Sequence, residues 1–194
     1  ANLMKISSLF TSASIWLTPI DAEDDAHTLS AWTQDSCYIA LSEETAPRPL
    51  SKAQAKEAIA ALIKDVDEKR DSFWFGIRPL NDQKLLGIIG FPWVDWSNGA
   101  TSIAITMKDW VEYSRSSTRE ALALLQAYAF NEISMHRLGI SIPAYNKILI
   151  STVQALGFEE EVRRRKTIFR FGCRWDNLHL GLLASNWING EQND

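Results

Sequence analysis

The period of the apolar positions changes several times along the chain, and each change marks an element. Ser12 to Leu17, SASIWL, reads as a short strand stopped by Pro19. Asp21 then stands as the N-cap of a helix through DAEDDAHTLSAWTQD, with Asp24 at its third position and Ala22, Ala26, Leu29 and Trp32 or Ala31 on its buried side. Cys37 to Pro49, rich in Ser, Glu, Thr and Pro, predicts a loop. Ser51 and Gln54 form the capping box of a second helix, whose stripe is Ala55, Ile59, Leu62, Ile63 and Val66 before the charged end DEKRD. The period then shortens. Phe73 to Ile77 is a strand, Pro79 to Asp82 a turn, and Leu85 to Phe91 an apolar run suited to a strand covered on both faces. Asn98-Gly99 is a strong hairpin signal, which makes Ala100 to Met107 the fourth strand.

The long stretch Tyr113 to Glu132 follows. Ser117 and Glu120 have the spacing of another capping box, and Ala121, Leu122, Leu124, Leu125, Tyr128 and Ala129 build an apolar stripe. Leu138 to Ile142 is a fifth strand ended by Pro143, and Asn146 to Leu156 is helical with Gly157 at its C-terminal end. Two last strands, Glu161 to Arg170 and Asn177 to Leu183, turn at Gly172. The order predicts an α+β fold: a mixed, mostly antiparallel sheet of about seven strands with flanking helices. The strand ending at Met107 and the one starting at Leu138 must be parallel, because a helix crosses over between them. That helix starts at the C-terminal end of a strand, where its N–H groups and positive dipole end make an anion site.

Composition narrows the picture. With 194 residues and 46% hydrophobic content, one domain, residues 1–194, is expected. A formal charge of −4 argues against a nucleic-acid partner. Cys37 and Cys173 form no CxxC and no Cys/His cluster, so neither a disulfide framework nor a metal site is expected, and a reducing cytoplasm is the simplest compartment. The opening ANLMKISSLFTSASIWL lacks a continuous apolar run of signal-peptide length, and no later run is long enough to span a bilayer, so no membrane partner is expected. His27, His136 and His179 are scattered, and the charges of Arg163 to Lys166 split between two faces of a strand.

Three strings carry a likeness to a known family: TREALALLQAYAFNEISMHRLGISIPAYN, ALGFEEE and IFRFGCRWDNLHLGLLASNW. In this order and spacing, from about Trp16 to Trp187, the chain resembles the GNAT superfamily of acyl-CoA-dependent N-acetyltransferases. It is most similar to the branch acting on N-terminal alanine or serine of ribosomal proteins and on related small amines. The resemblance implies a splayed pair of parallel strands with acetyl-CoA in the gap. It places Ile105 and Met107 on the strand whose backbone holds the pantetheine, Arg115, Ser116, Ser117, Thr118 and Arg119 on the pyrophosphate loop, and Asn146 against the cofactor arm. Trp93, Trp96 and Trp110 flank the acceptor end.

The chain departs from the family at informative places. The loop motif Q/R-x-x-G-x-G/A becomes Tyr113, Ser116 and Thr118, so side chains stand where backbone approaches phosphate, although hydroxyls can donate to phosphate. Ser102 takes the slot of a proton-accepting glutamate, and Val153 that of a proton-donating tyrosine. Asp95 is the remaining carboxylate candidate beside Ser102 for a catalytic role. Without a base, an amine that is already neutral attacks a well-placed thioester through proximity. The expected activity is transfer of an acetyl group to a primary amine, a protein N-terminus or a small molecule, in a ternary complex of a monomer or homodimer. The alternative is a catalytically idle acyl-CoA-binding or regulatory module.

Overall fold

The computed structural model describes residues 9–42, 48–69 and 71–191. Its sheet has eight strands: β1 (Ile15–Thr18), β2 (Phe73–Pro79), β3 (Gly87–Phe91), β4 (Val94–Asp95), β5 (Ala100–Met107), β6 (Arg137–Pro143), β7 (Glu159–Arg170) and β8 (Cys173–Leu183). They lie in the order β1-β2-β3-β5-β6-β8-β7, with β4 paired to β5 on the hairpin arm. Every pairing is antiparallel except β5 with β6. The expected crossover and its parallel pair are therefore present. The turn before β5 uses Gly99 at φ +61°, as the Asn-Gly signal requires.

Helices cover the sheet unevenly. On one face α1 (Ala26–Trp32) and α3 (Lys52–Lys69) pack Leu29, Ala55 and Ile59 against Leu85 and Ile88. On the other, α5 (Ser116–Ala127) and α6 (Lys147–Ala155) bring Leu122, Leu125 and Val153 against Ile103, Leu138 and Ile142. All five residues of β3 are buried, as the run GIIGF predicts. Deleting a side chain such as Leu125 would cost about 2–5 kcal/mol through lost transfer energy and a residual cavity. Arg78 on β2 reaches both carboxylate oxygens of Asp25 at 2.8 Å and so ties the start of α1 to the sheet.

Capping decides where several helices begin. Ser51 and Gln54 close their box: Gln54 N–H donates to Ser51 Oγ at 3.2 Å, and Ser51 N–H donates to Gln54 Oε1 at 3.0 Å. The Asp21 carboxylate accepts from Glu23 and Asp24, yet only turns follow it, and the regular helix begins at Ala26. The expected loop from Cys37 contains a helix, α2 (Ser36–Ser42), which buries Tyr38, Ala40 and Leu41. Asp35, whose carboxylate accepts from Cys37 N–H at 2.7 Å, supplies its start. Residues 43–47 of that loop, the Val66 side chain and the first eight residues of the opening stretch lie outside the described residues. A last helix, α7 (Ala184–Glu191), follows β8 without having been expected.

The predicted crossover helix comes in two pieces. The first, α4 (Trp110–Ser114), is capped by Asp109, whose side chain accepts from Glu112 N–H. Arg115 is extended at ψ 162°, and α5 starts immediately after it with no side-chain cap. The Ser117–Glu120 box therefore does not form. Ser117 lies inside α5 and faces the core, while Glu120 accepts from Ser12 and Ser14 beside β1, which offers three donors to its two oxygens.

Candidate functional site

The site grows out of an interrupted pairing. β5 and β6 run in parallel register from Ala100–Arg137 to Ile103–Ile140, and there the pairing stops. Beyond it β5 stays with β3 through Met107, and β6 stays with β8 through Pro143. The two strands part, and a cavity of about 250 Å³ opens between them, lined by Ala40, Leu41, Ser102, Ile105, Ile140, Ser141, Asn146 and Leu149. Asn146 caps α6 by accepting from Leu149 N–H at 3.2 Å, which holds it in the cavity wall.

A second hollow, about 550 Å³, lies between the starts of α5 and α6. Ser114, Arg115, Ser116, Arg119, Lys147, Ser151 and Thr152 line it. Three cationic side chains thus surround a helix N-terminus whose N–H groups no side chain takes among the described residues, an arrangement that suits an anion such as a diphosphate. Arg115 also stands 3.6 Å from the Glu112 carboxylate, which orients it across the break between α4 and α5.

Beside the parting strands is a recess of about 210 Å³, lined by Trp93, Ser102, Arg137, Gly139, Ser141, Glu161 and His179 among others. Ser102 and Ser141 border both this recess and the cavity, so the two meet at the point where the strands separate. Ser102 Oγ donates to Gly139 O across that junction at 3.3 Å. Hydrogen bonds from Arg137 hold the Glu161 carboxyl below its ordinary value. His179 Nε2 is buried with no hydrogen-bond partner among the described residues.

The expected site residues divide clearly. Ile105 and Asn146 line the cavity; Arg115, Ser116 and Arg119 line the basic hollow. Met107 is buried on the core face, so only its backbone meets the gap. Ser117 and Thr118 turn inward: Thr118 Oγ1 donates to Glu112 O at 2.9 Å, and Ser117 Oγ is buried with no partner among the described residues. Their hydroxyls face the core side of α5, so only their backbone N–H groups remain for an anion. Asp95 sits in the hairpin turn, where Asn98 Nδ2 donates to it at 2.7 Å and the Ser97 and Asn98 N–H groups donate at 3.1 Å. Those bonds, the Asn98 side chain first, hold its carboxyl below the ordinary value and make it a weak proton acceptor. Val153 is wholly buried in the core.

Sequence named two further residues, His179 and Tyr113, without the places they take at the site. His179 reaches the recess because β8 pairs it with Ser141. Tyr113 reaches the gap because α4 folds it inward, and its hydroxyl donates to Ile105 O at 3.1 Å. Neither has a local signal, since both positions depend on strands or helices distant in the chain. Among the described residues, no group of three or more His, Cys, Asp or Glu could hold a metal ion, and no helix is long and apolar enough to cross a membrane.

Comparison with known proteins bears on this geometry. A family model for an acetyltransferase (GNAT) domain matches residues 14–159. A probable N-acetyltransferase of Bacillus subtilis (strain 168) is 25% identical over 116 residues, which cover 60% of this chain and 64% of that protein's length. Among solved structures, spermidine N-acetyltransferase from Vibrio cholerae in complex with CoA and spermine superposes with a TM-score of 0.76 at 14% identity, covering 90% of this chain and 98% of that one. A ribosomal L7/L12 α-N-protein acetyltransferase in complex with coenzyme A gives 0.76 at 14% identity, covering 89% and 95%. At these identities the structural likeness concerns the fold.

Proposed function

The chain belongs to the GNAT acetyltransferase family, and we propose that it moves an acetyl group from acetyl-CoA to a primary amine. The observation that carries this reading is the pair of hollows that adjoin at the start of α6, where Asn146 lines the cavity between β5 and β6 and Lys147 lines the basic hollow. The backbone N–H groups of Ser116 to Thr118, with the side chains of Arg115, Arg119 and Lys147, hold the diphosphate. The arm lies along the β5 edge at Ile105 beside Asn146 and brings the thioester to the junction at Ser102. The amine enters through the adjoining recess, past Trp93 and the Arg137–Glu161 pair.

The chemistry then needs little from side chains. The amine lone pair adds to the thioester carbonyl, the C–S bond breaks as the carbonyl re-forms, and the thiolate leaves while the new amide sheds its proton to water. No carboxylate lines the cavity among the described residues, and Asp95 is a poor base. The amine therefore arrives neutral, and positioning supplies the acceleration. Peptide N-termini, with α-amino pKa values of about 7.7–8.0, are neutral in useful amount near pH 8, which favours them as acceptors over the more basic alkyl amines.

Calorimetry with acetyl-CoA, followed by thiol release with a panel of peptides and small amines, tests this reading. Micromolar binding and release of CoA with at least one peptide are expected. Absence of binding at millimolar acetyl-CoA overturns it. A second reading, binding without turnover, draws on the Ser102 and Val153 substitutions; a thermal shift with acetyl-CoA and no thiol release from any acceptor would establish it instead.

A further inference from the structure

The β5 edge that faces the gap is already occupied by a side chain of the protein itself. Lys108 N–H donates to Leu86 O at 2.9 Å, on the β3 side of the strand. Backbone polar groups alternate in direction along a strand, so those of Ile105 and Met107 point the other way, into the gap. β6 cannot pair with them, because its register with β5 ends at Ile103 and Ile140. Buried backbone groups left without partners are costly. Tyr113 relieves that cost: its hydroxyl donates to Ile105 O at 3.1 Å, and its own oxygen faces the Met107 N–H. The side chain is 1% exposed, so it fills the space it occupies.

Tyr113 lines neither hollow but touches a residue of each, Ile105 through its hydroxyl and Ser114 through the chain. The cavity on one side is lined by Ile105, Asn146 and Leu149. The basic hollow on the other begins at Ser114, the next residue, and includes Lys147 and Ile148. A ligand with its anionic head in the basic hollow and its thioester near Ser102 has to pass the Tyr113 hydroxyl. A ligand that is only a nucleotide head does not.

We propose that Tyr113 is a displaceable plug, whose hydroxyl satisfies the β5 edge in the free protein and competes with the amide groups of the CoA arm for the Ile105 carbonyl. The inference rests on the acyl-CoA reading and adds to it a residue that sets affinity for the arm while leaving affinity for the nucleotide head unchanged. Tyr113 stands where the family motif has Gln or Arg, so the competition is a property of this chain.

Calorimetric titration of the wild type and Tyr113→Phe with CoA and with adenosine 3′,5′-bisphosphate, which has no arm, tests the proposal. Phenylalanine keeps the ring and removes the competing donor. CoA is expected to bind Tyr113→Phe roughly tenfold more tightly, the worth of about one neutral hydrogen bond, while the bisphosphate binds both proteins equally. Thermal unfolding of the two free proteins serves as the control for folding, and amide exchange at Met107 should quicken in the free variant and slow again with CoA. Equal CoA affinity, weaker CoA affinity in the variant, or an equal gain for both ligands overturns the plug while leaving the acyl-CoA reading in place. Failure of CoA to bind either protein overturns that reading, and the plug falls with it.

Discussion

Two helices of this chain begin with the same sequence signature, Ser51-x-x-Gln54 before α3 and Ser117-x-x-Glu120 at α5, and they start in opposite ways. At α3 the serine and glutamine exchange hydrogen bonds and satisfy the first turn. At α5 the serine is buried within the helix, the glutamate turns to Ser12 and Ser14, and no side chain caps the start. The surroundings make the difference. α3 begins at an exposed position, where the nearest partners are its own residues. α5 begins beside β1, whose segment offers three donors, and its first turn packs against the core. A capped helix start has spent its N–H groups, whereas an uncapped one ringed by Arg115, Arg119 and Lys147 keeps them for an anion.

The largest expected effect tests the electrical half of that contrast. Arg115→Gln with Arg119→Gln should weaken acetyl-CoA binding on the order of a hundredfold, at about 1.4 kcal/mol for each charge-assisted contact. Unfolding in urea should barely change, since both side chains are exposed. A loss below about threefold, within the worth of one weak surface contact, would mean that α5 is no more an anion site than α3.

Next in size is the diverted glutamate. Partial burial pushes the Glu120 carboxyl up, but hydrogen bonds from Ser12 and Ser14 outweigh it and hold the group below its ordinary value of 4.5. A folded pKa below the unfolded one means that the stabilisation is complete above about pH 4.5 and declines as pH falls through the folded value. Glu120→Ala should therefore cost about 2 kcal/mol at neutral pH, the range for hydrogen bonds to a charged group. Glu120→Gln should flatten the acid side of the stability profile. Urea unfolding between pH 3 and 7, a span chosen to bracket the carboxylate range, measures both.

The smallest effect separates the two serines. Ser51→Ala removes a working cap and should cost about 1 kcal/mol. Ser117→Ala removes a buried hydroxyl that has no partner among the described residues, and should change stability by less than about 0.5 kcal/mol or raise it slightly. Equal losses at the two positions would show that Ser117 caps α5 in solution.

Much of the fold could be read locally. The period change at Phe73, the Asn98-Gly99 turn, the Ser51 cap and the crossover between Met107 and Leu138 all depend on neighbours a few residues apart, and all are present. α2 was hidden because its apolar residues Tyr38, Ala40 and Leu41 lie among turn-forming residues, and only packing shows that they are buried. At the site, sequence named Ile105, Arg115, Ser116, Arg119 and Asn146, which line the two hollows. It could not orient Ser117 and Thr118, because an inward turn of two hydroxyls depends on where α4 ends and how α5 meets the sheet.

By itself, then, the sequence determined most of the strands and helices, their order and the parallel crossover, since periodicity, caps and turns act within a few residues. Only the tertiary structure decided which donor meets which acceptor: Ser14 with Glu120, Tyr113 with Ile105, and Ser102 with Gly139 at the junction. Hydrogen bonds are short and directional, so residues far apart in the chain become partners only after strands and helices have packed. The same packing left the α5 start uncapped and the β5 edge in the keeping of Tyr113.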